Sequence, residues 1–579
     1  MKPTKILLPL VIASSLVLST IAEAQKKADD QMNAVVNIDR PYKPNITDAV
    51  KIEVTPEDEN IQAKKPEISY AAPLVLFKMD PYKGTMKAPP APKEKQEDLY
   101  HCFAKLGYGN YNNIYGDFLF NTLRSKTSLV SAELKYDGGN GPVSNSAYSN
   151  AMANVYGKQI FGANVLDGSV GYKSSTNHFY GYNHDSLKNI NADSIKQVFS
   201  DFTLNANFGN PLAKPGQVRY DFGINYCNFT DNYKTAENDF VIKGDVSQVE
   251  QNNKVEIALL YDAMPLSYGN KDISRSIFRA SLGDHLDYGS FRAYVGIITA
   301  SETDTTFSKF HVYPDLEGEA DLDEKYITAF AGITGGLDKN NFKSFALENP
   351  FIADGIDIQN SNEQIKLYGG FKGSINNYTS YNLSLTWQSY QNYVFFVNDS
   401  TNHARFVPLY DNADILTFHA DMGYNFSETF YINGAVNFRN YSLTDYLSNT
   451  LVVTNNHLAE PYQRPGTELL LTTKYKVNER ITFGADIYDW GQRYALTLLD
   501  YKERKETGQA GTTSTLPNIL DANLNVSYLF SNPQNTARAG NVYAFLQLNN
   551  IVGSQYDYWN DYPVRGFQVL GGVMVNFLK

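Results

Sequence analysis

The sequence predicts an all-β protein: a large antiparallel transmembrane β-barrel of about 22 strands (range 18–22) behind an extended Pro/Lys-rich N-terminal segment. Three observations predict it. Apolar and polar residues alternate at period 2 through most of the chain after residue 98, so each strand has one apolar and one polar face. The connections between these runs alternate between short and long, as in barrels with periplasmic turns and external loops. And the 579 residues are only 42% hydrophobic yet 13% aromatic, with 42 Tyr and 33 Phe, while no apolar run after the N-terminus is long enough for a membrane-crossing helix. Two Cys cannot staple a chain of this size, and a net charge of −12 argues against a nucleic-acid partner, which needs clustered Lys and Arg.

Residues 1–24 read as a cleavable signal peptide. Lys2 and Lys5 precede the apolar run Ile6 to Ile21, and Ala22-Glu23-Ala24 is an A-x-A cleavage site. An exported chain without a second apolar helix crosses a membrane only as a closed barrel. Residues 25–98 hold nine of the 23 prolines (41, 44, 56, 66, 73, 81, 89, 90 and 92), a spacing that forbids regular helices and central strands. This leader reads as extended chain in the periplasm or the lumen, with apolar patches at Val50 to Val54 and Ser69 to Phe77.

Residues 99–579 form the predicted barrel. Phe202, Leu204, Ala206 and Phe208 interleave with Asp201, Thr203, Asn205 and Asn207, and Phe430, Ile432, Gly434, Val436 and Phe438 interleave with polar neighbours. The apolar set should face lipid and the polar set the lumen. Short connections are expected at Tyr288 to Ser290, Asn376-Asn377, Ser427-Glu428 and Val477 to Arg480. Long ones are expected at Gly138 to Asn150, Tyr182 to Asp193, Asp338 to Glu363, Asn398 to Ala413, Leu443 to Pro465 and Arg504 to Asn518. If the first strand rises from the periplasm, every long connection falls outside. An unfilled barrel of this size would breach the membrane, so loops, leader or a partner must fill it.

One stripe is distinctive. Asp315, Glu317, Glu319, Asp321 and Asp323 occupy alternate positions of one strand, opposite Leu316, Gly318, Ala320 and Leu322. Five carboxylates cannot face lipid, so the stripe is expected in the lumen. It would attract cations or dock leader lysines such as Lys64, Lys65, Lys83 and Lys87, or simply pair with Arg and Lys of neighbouring strands. Trp387, Trp490 and Trp559, with Tyr100, Tyr108, Tyr556 and Tyr562, fit interfacial girdles; stacking on a sugar in outer loops is the alternative for Tyr562, Trp559 and Tyr446. His178 and His184 are expected exposed on an external loop. Parity points Cys102 to lipid and Cys227 to the lumen, too far apart for a disulfide. No metal-ligand spacing, cofactor motif, nucleophile elbow or zinc-protease helix occurs, so neither a cofactor nor an enzymatic activity is expected.

The C-terminal segment reads Leu548-Asn549-Asn550-Ile551-Val552, then Tyr556, then Tyr562-Pro563-Val564-Arg565-Gly566, and the last strand runs to Phe577. Asn549, Asn550, Tyr556, Arg565 and Phe577 form a barrel-closing signature that resembles the final strands of TonB-dependent receptors of Gram-negative outer membranes. The resemblance covers the barrel. It implies receptor-like transport of a solute across the outer membrane, contact with outer-membrane lipid and lipopolysaccharide, and insertion by the barrel-assembly machinery. The family's N-terminal plug has roughly 120–150 residues, a domain-sized unit. The leader here is shorter and Pro-rich, and Asn33 to Asn37 is its only approach to an energy-coupling motif, so the chain resembles a plug-less relative. Two other readings stay open: a structural or assembly subunit of an outer-membrane machine, with the leader tethered to a surface lipoprotein or envelope complex, and a passive porin.

Overall fold

The computed structural model describes residues 100–577 except 123–124, 126, 215, 251–252, 324–325, 377, 428, 444–459, 508–510 and 532–539. The expected signal peptide and leader lie outside the described residues. From Cys102 onward the chain forms a closed antiparallel barrel of 22 strands. The first nine are β1 (Cys102–Gly109), β2 (Ile114–Asn121), β3 (Ser128–Gly139), β4 (Tyr148–Phe161), β5 (Asn164–His178), β6 (Lys196–Gly209), β7 (Val218–Asp231), β8 (Thr235–Glu250) and β9 (Asn253–Ala263). Then come β10 (Ser276–Asp287), β11 (Phe291–Thr303), β12 (Ser308–Asp323), β13 (Ile327–Asp338), β14 (Ser361–Asn376), β15 (Thr379–Asn398) and β16 (Phe406–Ser427). The ring is completed by β17 (Phe430–Leu443), β18 (Thr467–Lys476), β19 (Ile481–Trp490), β20 (Ile519–Leu529), β21 (Asn541–Asn549) and β22 (Gln568–Phe577).

Each strand pairs with its sequence neighbours, and the seam closes where Cys102 pairs with Phe577 and Leu106 with Val573. Closure leaves no barrel strand edge unpaired, the condition for crossing hydrocarbon without helices. No helix among the described residues is long and apolar enough to cross a membrane. The alternation sets the faces. On β1, Leu106 and Tyr108 point outward (67% and 63% exposed), whereas Lys105, just before them, is buried against the inner wall (4%). Phe202, Leu204 and Phe208 on β6, and Val295 and Ile297 on β11, belong to the same outward apolar band. This band places the protein in an outer membrane.

The side of the chain ends carries tight turns such as Tyr288 to Ser290 and Val477 to Arg480. The opposite side carries the loops 140–147, 179–195, 264–275, 339–360, 399–405, 491–518 and 550–567, and this is the external side. Two boundaries differ from expectation: the connection expected at Arg504 to Asn518 already begins at 491, where residues 493–498 pair with 511–516 inside the loop. Residues 406–413 continue β16 instead of belonging to a long loop, because β15 and β16 pair beyond the apolar band as far as Asn398 and Phe406. Pro408 sits there opposite Phe396, in sequence that reads as loop.

Candidate functional site: a loop core in the outer mouth

The connection 339–360 starts and ends at one place. Asn340 accepts through its carbonyl from Arg275 (2.9 Å), and its side-chain amide donates to the Gln359 carbonyl (2.8 Å) and the Ser361 hydroxyl (2.9 Å). Arg275 also donates to Asn360 Oδ1 (2.9 Å). The result is a long loop with a zipped neck. Within it lies helix α1 (Phe342–Glu348), started by a capping box in which Asn341 accepts from the Ser344 amide and the Ser344 hydroxyl answers the Asn341 amide. Pro350, just past the C-cap Asn349, cannot continue the helix.

Both ends of α1 are held by the barrel wall. Its first amides, Phe342 N and Lys343 N, donate to the buried carboxylate of Glu237 on β8 (2.7 and 3.3 Å), an anion where the helix carries partial positive charge. Just before the helix, Lys339 bridges Asp239 (2.5 Å) and Asp262 (2.7 Å). Lys343 reaches Asp201 on β6 (2.9 Å) and the thiol of Cys227 on β7 (3.2 Å). Burial works against the charge of both lysines. Asp262 and Asp239 at Lys339, and Asp201 and Cys227 at Lys343, nevertheless hold each ammonium above its ordinary value. At the far end Glu348 pairs with Arg464 (2.8 Å), which also donates to the Val394 carbonyl of β15.

Between its ends the helix carries an aromatic bridge. Phe342 packs against Phe199 of β6 and Phe229 of β7, with ring centroids 6.1 and 5.7 Å apart. One turn later Phe345 meets Phe396 of β15 edge-on at 5.5 Å. A second loop, 550–567, completes the core: Trp559 contacts Phe396 and Phe406, and Tyr562 stacks on Phe351 at 3.6 Å. The fully buried Arg493 fixes this loop by donating to the carbonyls of Tyr558 and Asp557 (2.5 and 2.6 Å). Arg405 pairs with Asp354 and lies over the rings of Phe179 and Tyr233. β7 and β16 stand nine positions apart in the ring of 22, so one hydrophobic cluster joins opposite walls. It spans the outer mouth.

This core corrects the girdle expectation. Trp559 and Tyr562 are buried in it (7% and 1% exposed), Tyr556 is buried with its hydroxyl on Asp521 (2.5 Å), and Trp490 turns inward against Tyr558. Their alternation cannot report a lipid face, because all but Trp490 stand on a loop folded back into the mouth. His178 and His184 are half-buried against the carbonyls of Ala147 and Tyr180, not exposed. The loop core itself was missed. Its available signal was Asn341-Phe342 followed by Phe345-Ala346 and Pro350, a capped helix with apolar residues at helical spacing.

Below the core the lumen wall is polar. Asp315, Glu317, Glu319 and Asp321 turn inward along β12, and each has a neighbour: Asp315 accepts from Thr334 (3.0 Å), Glu317 from Tyr368 (2.6 Å), and Glu319 and Asp321 both pair with Arg292 (3.1 and 3.0 Å). Lys372 also pairs with Glu319. A bulge separates Asp321 from Asp323, which is exposed at the periplasmic end. The terminal signature divides in two. Asn549 and Phe577 stand on the closing strands β21 and β22. Asn550, with φ of 49°, bonds to the carbonyls of Ser554 and Arg565 and turns the chain into the loop, while Arg565 lies 3.7 Å over Tyr148. Cys102 lies on the outward face and Cys227 on the inward one, both as free thiols. Among the described residues no cluster of His, Cys, Asp and Glu fits a metal ion.

No family model and no curated protein matches the sequence. Solved structures do match the fold. The FrpB iron transporter from Neisseria meningitidis superposes with a TM-score of 0.63 at 10% identity, over 83% of this chain and 82% of that one. The chain has the barrel fold of TonB-dependent receptors. The ferric-catecholate import receptor Fiu from Escherichia coli gives 0.61 at 10% identity, over 84% and 82% of the two chains. The pyoverdine outer-membrane receptor FpvA from Pseudomonas aeruginosa gives 0.58 at 11%, over 83% and 79%.

Proposed function

We propose that the protein is a receptor-like transporter of the outer membrane, which admits a solute to a polar lumen when its external loop core opens. The observation that carries this reading is the aromatic bridge from Phe199 and Phe229 through α1 to Phe396, which closes the outer mouth. A permanently open porin has no use for a core joining opposite walls. The polar inner wall below it suits a hydrated solute. Fold analogy puts ferric chelates first among the ligands to test, since the matching structures are iron and siderophore receptors. In this reading external loops, rather than an N-terminal plug, supply the closure, and the leader serves periplasmic contacts.

Trp559 and Trp490 at the mouth provide the assay. Titrating purified protein with ferric chelates should quench their fluorescence saturably, and a Trp559→Phe variant should lose most of the signal. Stoichiometric co-purification with envelope partners, together with no chelate binding and no uptake defect on deletion, would favour the structural-subunit reading instead.

A further inference from the structure

We propose that residues 340–360 undock from the barrel as a single body, held only by their neck, and that this segment is the gate of the conduit proposed above, on which reading the inference rests. Three observations support it. The neck is closed on itself by Asn340, Asn360 and Arg275, so the segment can leave both walls without unpairing β13 from β14. Its holds on the walls are discrete: Glu237 at the first amides, Arg464 on Glu348 at the last turn and, past the helix, the Arg405–Asp354 pair and the backbone bonds of Phe351 and Ala353 with Phe406 of β16. And buried polar groups without a protein partner among the described residues occur on the segment and near its seat: the side-chain nitrogen of Asn349 at the C-cap, and both polar atoms of Gln197, two residues from Phe199 on the same face of β6. Fold cores rarely tolerate such groups, whereas interfaces that open and rehydrate do.

α1 has only two turns, so a break at one end should be felt at the other. Gating by one body predicts this coupling, and fraying of one end does not. The chain holds its own reporter. Cys227 faces the lumen directly under Lys343, 3.2 Å from its ammonium, at the N-terminal end of α1. The C-terminal hold, Glu348 with Arg464, is on the other side of the mouth.

The test uses full-length protein in intact cells, in a Cys102→Ser background. Cys227 modification by a membrane-impermeant maleimide added outside is timed. Glu348→Gln, and separately Phe345→Ala, should speed Cys227 modification at least tenfold, although Glu348 is paired with Arg464 and the Phe345 ring with Phe396, both away from the β6–β7 wall. Barrel folding is checked by heat-modifiable gel mobility. If both variants fold and label at the parent rate while Phe342→Ala labels faster, the segment frays piecemeal and the one-body gate is overturned. Bilayer conductance of the same variants separates the two readings. Faster labelling with raised conductance supports both, whereas faster labelling with unchanged conductance leaves the gate standing and removes the conduit.

Discussion

Phe342 is the residue on which the bridge turns. It is fully buried, and its ring touches both Phe199 and Phe229, so Phe342→Ala removes α1's aromatic contact with the β6–β7 wall while leaving every barrel hydrogen bond intact. A buried Phe→Ala change costs about 3–5 kcal/mol. Here that cost falls on docking of the loop, because the ring belongs to no barrel strand. At tenfold per ~1.4 kcal/mol, the undocked population should rise on the order of 10²–10³-fold. Trypsin added to intact cells reads this population, since cleavage after Lys343 requires the helix to leave the wall. The Lys343–Ser344 cut, followed by mass spectrometry, should accelerate by that factor, limited by full exposure, with gel mobility of the barrel unchanged. Phe310→Ala is the control: that ring faces lipid and is 68% exposed. Equal cleavage of wild type and Phe342→Ala would refute the bridging argument, as would acceleration in Phe310→Ala.

Three further outcomes are expected. Arg493→Met removes two charge-assisted hydrogen bonds and leaves the Asp557 and Tyr558 carbonyls unpartnered by it, a loss of about 3 kcal/mol, so hydrogen exchange in residues 550–567 should rise while β21 and β22 stay protected. Replacing Asp315, Glu317, Glu319, Asp321 and Asp323 with Asn should shift the reversal potential of an open-mouth variant away from cation preference, and Arg292→Gln should shift it toward cations, because Arg292 neutralises Glu319 and Asp321. Lys339 is held above its ordinary value by Asp262 and Asp239 despite burial. A raised folded pKa means its contribution is fully present below the unfolded value of about 10.4 and lost as pH rises through the higher folded one. Trp559 fluorescence should therefore be flat between about pH 7 and 10 and change only above that, with Lys339→Met abolishing the alkaline step.

The barrel was legible because its signal is repeated. Alternation such as Phe202 to Phe208, and the contrast between Val477 to Arg480 and Asp338 to Glu363, led to the strand number and to the external side. The resemblance at Asn549 to Phe577 pointed to the same closure. What failed was local and one-off. Trp559 and Tyr562 look like girdle residues because amphipathic rings suit both a membrane boundary and a core with polar neighbours, and only the return of the 550–567 loop into the mouth distinguishes the two. α1 is only two turns long, so its marks are few: the capping residues, Pro350 after it, and one apolar pair a turn apart, Phe342 and Phe345. Contacts such as Glu237 with Phe342 N, or Arg464 with Glu348, join segments more than a hundred residues apart and leave no trace in spacing. The acidic stripe was visible as a pattern, but its partners Arg292, Tyr368 and Lys372 follow only from register.

Single-channel conductance is the most direct test of closure by the external loops. The chain lacking residues 25–98 and the same chain with 341–358 also replaced by a short Gly-Ser turn should be compared in planar bilayers. The loop core predicts a closed first protein and a wide, steady pore in the second. A wide pore from removal of the leader alone would contradict it.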